Sequence, residues 1–160
     1  MPLASSDAIP ANPSPQLKVA LTWMRALSSA DPSSTELLAT TLTEDYTYAF
    51  LPRSLGYPVR NKEQFLAYAR KVPFSLFRDP QLYLHEVIEA PMKIIVQATT
   101  TATFHSAPYV NEYMMVFHLA KQTDGELKIR KVEEFVDSRA MAVFFPMDPL
   151  RERGSYKSNL

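Results

Sequence analysis

The order of hydrophobic periodicities along the chain is the feature that most limits how it can fold. Apolar residues follow helical spacing from Ser14-Pro15 to about Ala30, in a short segment that starts at Ser33, and again from Asn61. From about residue 82 onward they alternate as in strands, with turn signals between four predicted strands. Helices in the first half and a strand meander in the second predict an α+β fold rather than alternating βαβ units.

Local signals set the expected boundaries of the elements. Residues 42–51 have the alternation of a strand, with Tyr46, Tyr48 and Phe50 on one face. Residues 138–145 are expected to form a short closing helix or an edge segment. The four later strands are expected near 82–90, 93–105, 109–120 and 126–137, with turns at Ala90-Pro91, Ala107-Pro108 and Asp124-Gly125. The chain is therefore expected to divide into a disordered leader (1–14), one domain (15–145) and a flexible tail (146–160).

Composition argues against several classes of function. Seventeen basic and seventeen acidic residues cancel and are interspersed, so no basic stripe is available to bind nucleic acid. The chain has no cysteine, which removes disulfides, thiolate nucleophiles and cysteine-ligated metal sites. No apolar run approaches the length of a membrane helix, and the N-terminus lacks the pattern of a secretory signal. We therefore expect a cytoplasmic protein with no membrane partner.

Common cofactor and metal motifs are absent as well. Three glycines are too few for a dinucleotide-binding fingerprint, and no Gly-x-Ser-x-Gly hydrolase motif occurs. The three histidines lack the spacing of a zinc site. We therefore expect neither a cofactor nor a metal.

The predicted strand at residues 113–117 (Tyr-Met-Met-Val-Phe) is apolar on both faces. A sheet covered by helices on one face does not need a second apolar face. The extra face predicts a protein partner, most simply a second copy of the chain in a two-fold dimer. A homodimer through the sheet is expected.

Several local sequences resemble one known superfamily. Thr43-Glu-Asp-Tyr-Thr-Tyr-Ala-Phe is similar to its first strand, and Pro58-Val-Arg-Asn-Lys-Glu-Gln-Phe to the entry of its third helix. Three segments resemble the final strands of its SnoaL-like branch: Asn111-Glu-Tyr, Asp124-Gly-Glu-Leu-Lys-Ile and Glu133-Glu-Phe-Val-Asp. Over roughly residues 16–145 the chain thus resembles the nuclear-transport-factor-2-like superfamily. That resemblance implies a cone-shaped, curved antiparallel sheet, packed against three helices from the N-terminal half and enclosing an apolar pocket.

The resemblance also brings catalytic patterns that can be compared with this sequence. A ketosteroid-isomerase-like base would fall at the end of the first strand, where Phe50 stands. A limonene-epoxide-hydrolase-like arrangement matches one acid at Glu134, but the middle strand reads Gln97-Ala-Thr-Thr-Thr and lacks the Arg/Asp pair. Neither mechanism is expected here.

A scytalone-dehydratase-like arrangement of a tyrosine and two histidines fits better. Tyr48 falls near the expected tyrosine, His85 near the first histidine, and His105 within about one residue of the second. Imidazole titrates near neutral pH and can move protons without a cofactor. A glutamate buried among valines, as Glu134 would be beside Val132, has a raised pKa and can do the same. We predict His85, His105 and Glu134 as proton carriers.

Aromatic, methionine and acidic residues are the candidates for binding a substrate in the pocket. The predicted set is Trp23, Tyr46, Tyr48, Phe50, Phe104, Glu112, Met115, Phe117, Phe135 and Asp137. Alternation groups Glu134 with Val132 and Glu133 with Phe135, and the sequence leaves open which pair faces the cavity. Two alternatives to a pocket role also remain open: His85 could lie on the solvent face of its strand, and Asp137 could cap a helix.

These features together predict a cofactor-independent isomerase, cyclase or dehydratase. Its partner would be a small apolar ring-bearing metabolite, and natural-product biosynthesis is the setting that the resemblance implies. The alternative is a protein of the same fold that binds small molecules without catalysis, or that acts as a dimeric interaction protein.

Overall fold

The computed structural model describes residues 3–4, 8–28, 33–71, 77–104 and 106–144. The helices are α1 (Pro15–Leu27), α2 (Ser34–Thr40), α3 (Lys62–Lys71) and α4 (Ser138–Phe144). The strands are β1 (Leu3–Ala4), β2 (Leu42–Leu51), β3 (Arg60–Asn61), β4 (Phe77–Ala90), β5 (Lys93–Phe104), β6 (Ala107–Lys121) and β7 (Leu127–Val136). Helices that precede a strand meander confirm the predicted α+β fold class.

Side-chain caps explain where α1 and α3 begin. Ser14 Oγ accepts a hydrogen bond from the backbone N–H of Leu17 at 3.0 Å, and Pro15 occupies the first helical position. At α3, Asn61 Oδ1 accepts from the Gln64 N–H at 2.9 Å, while Gln64 Oε1 accepts from the Asn61 N–H at 3.1 Å. Because these contacts join residues only three apart, the sequence alone predicts both helix starts.

The strands form one sheet in the order β1-β4-β5-β6-β7-β2-β3. From β4 to β7 the pairing is antiparallel, as predicted. β2, however, lies parallel to β7, with Tyr48 opposite Val132 and Phe50 opposite Glu134. The sheet is therefore mixed rather than wholly antiparallel, because β2 lies beside the last strand of the meander and runs in the same direction.

Two of the three predicted turns lie where the sequence places them. The chain reverses after Ala90, where Met92 has a φ of 56°, and again at Gly125, where φ is 90°. Ala107-Pro108 was predicted as a turn, but these residues begin β6. The reversal occurs instead at Ser106, which has a φ of 71°. Proline is tolerated at position 108 because it lies at the start of a strand.

The core lies between the helices and one side of the sheet, called here the inner face. Trp23 of α1 and Phe65 of α3 are fully buried there, with ring centroids 5.6 Å apart and planes inclined by only 8°. Strand alternation supplies the opposite wall. In β6, for example, Met115 and Phe117 are buried against the helices whereas Met114 is exposed.

The other side of the sheet, called here the outer face, carries large apolar side chains that remain exposed. Met114 of β6 and Phe135 of β7 lie opposite each other there, and Phe135 is 54% exposed. Tyr83, Ile88 and Val110 extend this surface. The prediction that residues 113–117 are apolar on both faces of the sheet is therefore confirmed.

The structure places part of the predicted leader in the sheet. Leu3 and Ala4 pair in parallel with Leu82 and Tyr83 of β4, and Ile9 packs against the core. The predicted tail (146–160) lies outside the described residues. Among the helices that the structure describes, none is long and apolar enough to cross a membrane.

Replacing Phe65 with alanine should destabilise the protein strongly. The Phe65 ring packs on Trp23, Tyr46 and Tyr48 with centroid distances of 5.6, 5.2 and 4.7 Å. Removing it leaves a cavity, so we expect the free energy of unfolding to fall by about 3–5 kcal/mol, measured by urea denaturation. Leu37→Ala is the control, because Leu37 is 49% exposed on α2; we expect it to change stability by about 0.5 kcal/mol or less. Equal losses in the two variants would contradict the described core.

Candidate active site

Parallel pairing of β2 and β7 brings a tyrosine and a glutamate together on the inner face. Residues opposite each other on neighbouring strands share a face, so Phe50 and Glu134 point the same way as Tyr48 and Val132. The Tyr48 hydroxyl donates a hydrogen bond to Glu134 Oε2. This placement resolves the alternation left open by the sequence, since the structure turns Glu134 inward and exposes Phe135.

Aromatic rings surround Tyr48 on the helix side. Its ring centroid lies 4.7 Å from Phe65, 5.1 Å from Phe50 and 6.4 Å from Trp23. Trp23 also stands edge-on to Phe117 at 5.2 Å. All five side chains are buried. A charged group on this wall is therefore poorly solvated.

That environment changes the acidity of both partners. Burial raises the pKa of Glu134 from 4.5 to about 7, although the hydrogen bond from Tyr48 and the positive charge of Arg60 act in the opposite direction. Burial, together with the negative charge of Glu134, raises the pKa of Tyr48 well above its usual 10. At neutral pH, Glu134 can therefore take up or release a proton, while Tyr48 remains a hydrogen-bond donor.

Glu134 keeps some access to solvent even though its carboxyl group is strongly desolvated. By surface area the residue is only partly buried, unlike Val132 and Val136 on either side of it. Solvent therefore still reaches part of this residue on the otherwise covered inner face.

Along β6, a second row of polar groups faces the same side. The Tyr113 and Thr100 hydroxyl oxygens lie 2.6 Å apart. Burial raises the pKa of Tyr109 and of Tyr113, and the charge of Glu134 raises both further, so both rings lie within electrostatic range of that carboxylate. Asn111 Oδ1 is buried without a hydrogen-bond partner in the described part of the chain. This row adds hydrogen-bonding groups beside the acid.

Arg60 brings a positive charge to the same face. It lies opposite Tyr48 in the β2–β3 pair, so the two side chains point the same way. The residue is only 4% exposed, and its guanidinium carbon lies 4.3 Å from the centroid of the Tyr68 ring and 5.8 Å from that of Phe50. Near it, a groove of about 280 Å³ runs between residues 58–60 and α3.

Seven of the residues predicted from the sequence lie on the inner face or in the helical wall that covers it. They are Trp23, Tyr46, Tyr48, Phe50, Met115, Phe117 and Glu134. The structure thus brings one predicted proton carrier together with most of the predicted aromatic wall.

Other predicted residues lie elsewhere because strand alternation turns them outward. His85 is exposed on the outer face, where its Nε2 lies 2.7 Å from Thr99 Oγ1. Glu112 is also exposed and accepts a hydrogen bond from Gln97 Nε2 at 3.0 Å. Phe135 belongs to the outer face, as described above. None of the three side chains shares the inner face with Glu134.

The remaining predictions concern the ends of strands. Asp137 caps α4, since its Oδ1 accepts from the backbone N–H groups of Arg139 at 2.8 Å and Ala140 at 3.3 Å. Phe104 packs against Phe144 at 5.8 Å, and Phe144 in turn contacts Tyr109 at 5.0 Å. His105 lies outside the described residues. Within the described ranges, no three His, Asp or Glu side chains come close enough together to hold a metal ion.

Four residues of the site are not among those predicted from the sequence: Arg60, Tyr109, Asn111 and Tyr113. Alternation carries a usable signal for the last three, because Tyr109, Asn111 and Tyr113 have the same parity in β6 as the predicted Met115. The same alternation places Glu112 on the opposite face of β6 from Met115. Arg60 has no comparable signal, since its position depends on a two-residue strand formed by tertiary pairing.

Solved structures share this fold. The BvnE pinacolase from Penicillium brevicompactum has a TM-score of 0.66 and 23% identity, over 81% of this chain and 91% of that chain. AusH from Aspergillus nidulans has a TM-score of 0.63 and 21% identity, over 81% and 88% of the two chains. A protein named as a SnoaL-like polyketide cyclase from Jannaschia sp. CCS1 has a TM-score of 0.64 and 18% identity, over 92% and 100%. The chain therefore has the fold of the SnoaL-like, nuclear-transport-factor-2-like proteins.

Curated fungal proteins are similar in sequence. Monooxygenase ptaG of Pestalotiopsis fici is 31% identical over 117 residues, which is 69% of this chain and 76% of that protein. A protein named monooxygenase from Claviceps purpurea is 29% identical over 108 residues, which is 66% of each chain. No protein-family model matches the sequence. The chain belongs to the same family as monooxygenase ptaG.

The raised pKa of Glu134 predicts a specific dependence of stability on pH. Because the folded protein holds the Glu134 proton more tightly than the unfolded chain does, stability should fall as pH rises from 4.5 to about 7 and then level off. Glutamine at position 134 cannot ionise. The free energy of unfolding of Glu134→Gln, relative to that of the wild type, should therefore increase as the pH rises across this window. Urea denaturation at a series of pH values measures the difference.

Glu133→Gln is the matched control for this measurement. Lys131 and His118 hold the pKa of Glu133 below 4.5, so ionised Glu133 stabilises the fold and that stability is lost as pH falls below 4.5. The two variants should therefore differ from the wild type in opposite senses and in separate pH ranges. A flat difference for Glu134→Gln between pH 4.5 and about 7 would show that this carboxyl group is not desolvated.

Proposed function

We propose that this protein is a cofactor-independent enzyme of natural-product biosynthesis that isomerises, cyclises or dehydrates a small apolar ring-bearing metabolite. The observation that carries the proposal is the Glu134 carboxyl group, which accepts a hydrogen bond from Tyr48 on an aromatic wall and has a pKa raised to about 7. A carboxyl group with this pKa can serve as a base and then as an acid in one cycle at neutral pH.

The first step in this proposal is removal of a proton next to a carbonyl group. Ionised Glu134 takes the proton, and the electrons of the C–H bond move into an enolate whose oxygen carries the negative charge. Tyr113 and Tyr109 lie near Glu134 and keep their hydroxyl protons, because burial raises the pKa of both. Such donors stabilise an enolate oxygen in a water-poor site.

The second step decides the type of product. Protonated Glu134 can return its proton to a different carbon, which gives an isomer. Alternatively, the enolate can expel a hydroxyl group on the next carbon, which takes the proton from Glu134 and leaves as water. Attack of the enolate carbon on a second carbonyl group, followed by proton transfer to the new alkoxide, closes a ring. All three outcomes need one proton carrier, and Glu134 suffices.

Relatives give this proposal support at the level of chemistry. One structural neighbour is named as a pinacolase and another as a polyketide cyclase, terms for rearrangement and ring closure. At sequence identities of 23% and 18%, these structures are similar to this chain in fold, and the similarity does not extend to individual catalytic residues. The proposed role of Glu134 therefore depends on its own environment in this chain.

A second candidate function is oxygenation, which the names of the two curated relatives favour. The same first step serves it, because the enolate carbon can add molecular oxygen: a C–O bond forms, O₂ is reduced to a peroxide, and the proton held by Glu134 completes a hydroperoxide. The mass of the product separates the candidates: an isomer keeps the mass of the substrate, a dehydrated product loses one water, and an oxygenated product gains oxygen from labelled O₂.

Glu134→Gln should slow proton abstraction at least about 100-fold, because glutamine cannot accept the proton. The measurement uses hydroxylated tetralones as probes in D₂O. NMR monitors the rate at which the enzyme exchanges their α-protons for deuterium, and mass spectrometry records the mass of any product. Wild-type exchange should rise with pH and level off above about 7, as Glu134 ionises. His85→Ala is the control and should leave the rate unchanged, since His85 lies on the outer face.

Equal exchange rates in the wild type and Glu134→Gln would rule out Glu134 as the base. Tetralone binding without any exchange in the wild type would instead favour the non-catalytic alternative, a small-molecule-binding protein of the same fold.

We further propose that the protein acts in the cytoplasm as a homodimer through the outer face, on which Met114 and Phe135 are exposed. Phe135→Glu places a charge on this apolar surface and should convert a dimer into a monomer in sedimentation-velocity experiments. Val143→Glu, on α4 and 63% exposed, is the matched control and should sediment like the wild type. A wild-type protein that sediments as a monomer would refute the proposal.

A further inference from the structure

Arg60 is a buried cation that forms no ion pair or Nη hydrogen bond with any acid among the described residues. The residue is 4% exposed, and both Nη1 and Nη2 are inaccessible and without a hydrogen-bond acceptor among the described residues. A buried charge costs several kcal/mol when it is left unpaired. Nearly all buried polar groups in proteins are hydrogen-bonded, so two unpaired nitrogens on one guanidinium group call for an explanation.

The surroundings of Arg60 hold the guanidinium in place without satisfying it. The guanidinium carbon lies 4.3 Å from the centroid of the Tyr68 ring and 5.8 Å from that of the Phe50 ring. Both ring faces attract the positive charge, but neither accepts a hydrogen bond in the plane of the guanidinium group, where its N–H groups point. The positive charge of Arg60 lowers the pKa of the Glu134 carboxyl group, but the hydrogen bond that Glu134 accepts comes from Tyr48. The two end nitrogens therefore keep unpaired donors, and Arg60 itself lines the groove between residues 58–60 and α3.

The position of Arg60 connects it to the proposed catalytic centre. Arg60 lies opposite Tyr48 across β2–β3, and Phe50 lies opposite Glu134 across β2–β7, so the four side chains share the inner face. Tyr68, which packs on Arg60, is also roughly parallel to the Tyr48 ring, at a centroid distance of 6.2 Å. A molecule that contacts Glu134 is thus close to the guanidinium group.

We propose that Arg60 binds a carboxylate group of the substrate, so that the enzyme acts on an aromatic or other ring-bearing carboxylic acid. The guanidinium end offers two parallel donors, which match the two oxygens of a carboxylate. Through this ion pair, Arg60 orients the ring along the Phe50–Tyr48 wall toward Glu134. The inference rests on the proposed function only for the reaction that follows binding.

Non-reacting probes test this subsite independently of turnover. Benzoate, 1-naphthoate and 2-anthroate are each compared with the carboxamide of the same shape, by titration calorimetry on the full chain. We expect at least one carboxylate to bind about tenfold or more tightly than its carboxamide, since one charge-assisted bond to an arginine is of that magnitude. Arg60→Met should abolish the preference, and Arg60→Lys, which keeps the charge but not the paired donors, should reduce it.

Arg130→Met is the control for the general loss of positive charge. Arg130 is exposed and lies 3.7 Å from Asp45, away from the inner face. This variant should keep the carboxylate preference of the wild type. Circular dichroism and thermal unfolding establish that each variant is folded, and Arg60→Lys keeps the test decisive if Arg60→Met does not fold.

A second readout separates anion binding from simple packing by Arg60. Pairing Arg60 with an anion cancels the positive charge that opposes the rise of the Glu134 pKa, so carboxylate binding near pH 7 should draw a proton onto Glu134. Calorimetry in buffers of different ionisation enthalpy measures this uptake. It should vanish in Glu134→Gln while the carboxylate preference remains.

The outcomes separate this inference from the proposed function. Equal binding of carboxylates and carboxamides, no binding by any carboxylate, or a preference that survives in Arg60→Met would each overturn the subsite. Normal proton exchange in Glu134→Gln would overturn the catalytic role of Glu134 but leave a confirmed carboxylate preference intact.

Discussion

The parallel pairing of β2 with β7 is the contact on which the candidate site depends. It joins the first long strand to the last one and sets Phe50 opposite Glu134. With this register, the inward residues of both strands meet the aromatic side chains of α1 and α3. A shift of one residue would turn Glu134 to the outer face and bring Glu133, whose pKa is lowered rather than raised, to the inside. Register thus decides whether the site contains a carboxyl group that titrates near neutral pH.

Buried ionisable groups weaken a fold unless something else compensates for their desolvation. Glu134 and Arg60 both lie in the aromatic wall, and each would be replaced by an apolar residue if packing were the only requirement. Tyr48 offsets part of the cost at Glu134 through its hydrogen bond. Proteins commonly give up stability in this way at sites where they act on ligands. The proposed reaction and the proposed carboxylate subsite would each give one of these two charges a use that offsets its cost to stability.

Much of the fold could be predicted from the sequence because its signals are local. The caps at Ser14 and Asn61 act within three residues, and alternation within β2 fixes which of its side chains face inward. The same rule would have placed His85 outside, beside the buried Leu82 and Leu84. The similarity of a few side chains to a known catalytic pattern favoured an inward position, but alternation along the strand decides it.

Parts of the site that depend on distant contacts could not be predicted. Arg60 lies in a two-residue strand that exists because it pairs with β2, and nothing in its neighbours marks it as buried. The desolvation of Glu134 likewise requires the helices to cover the sheet. Sequence patterns indicate the helix or strand to which a residue belongs. The pKa of a carboxyl group depends instead on its burial, on nearby charges and on hydrogen bonds, which come from several elements.

The hydrogen bond between Tyr48 and Glu134 spans 86 positions of the chain. Contacts between such distant segments form late, because closing a long loop costs entropy before any pairing compensates for it. During synthesis, β2 emerges long before β7, and the β2 edge that faces β7 has no partner until almost the whole domain is available. The pair of Tyr48 and Glu134 can therefore exist only in a fully synthesised and folded chain, so a partly folded molecule lacks the acid that the proposed reaction requires.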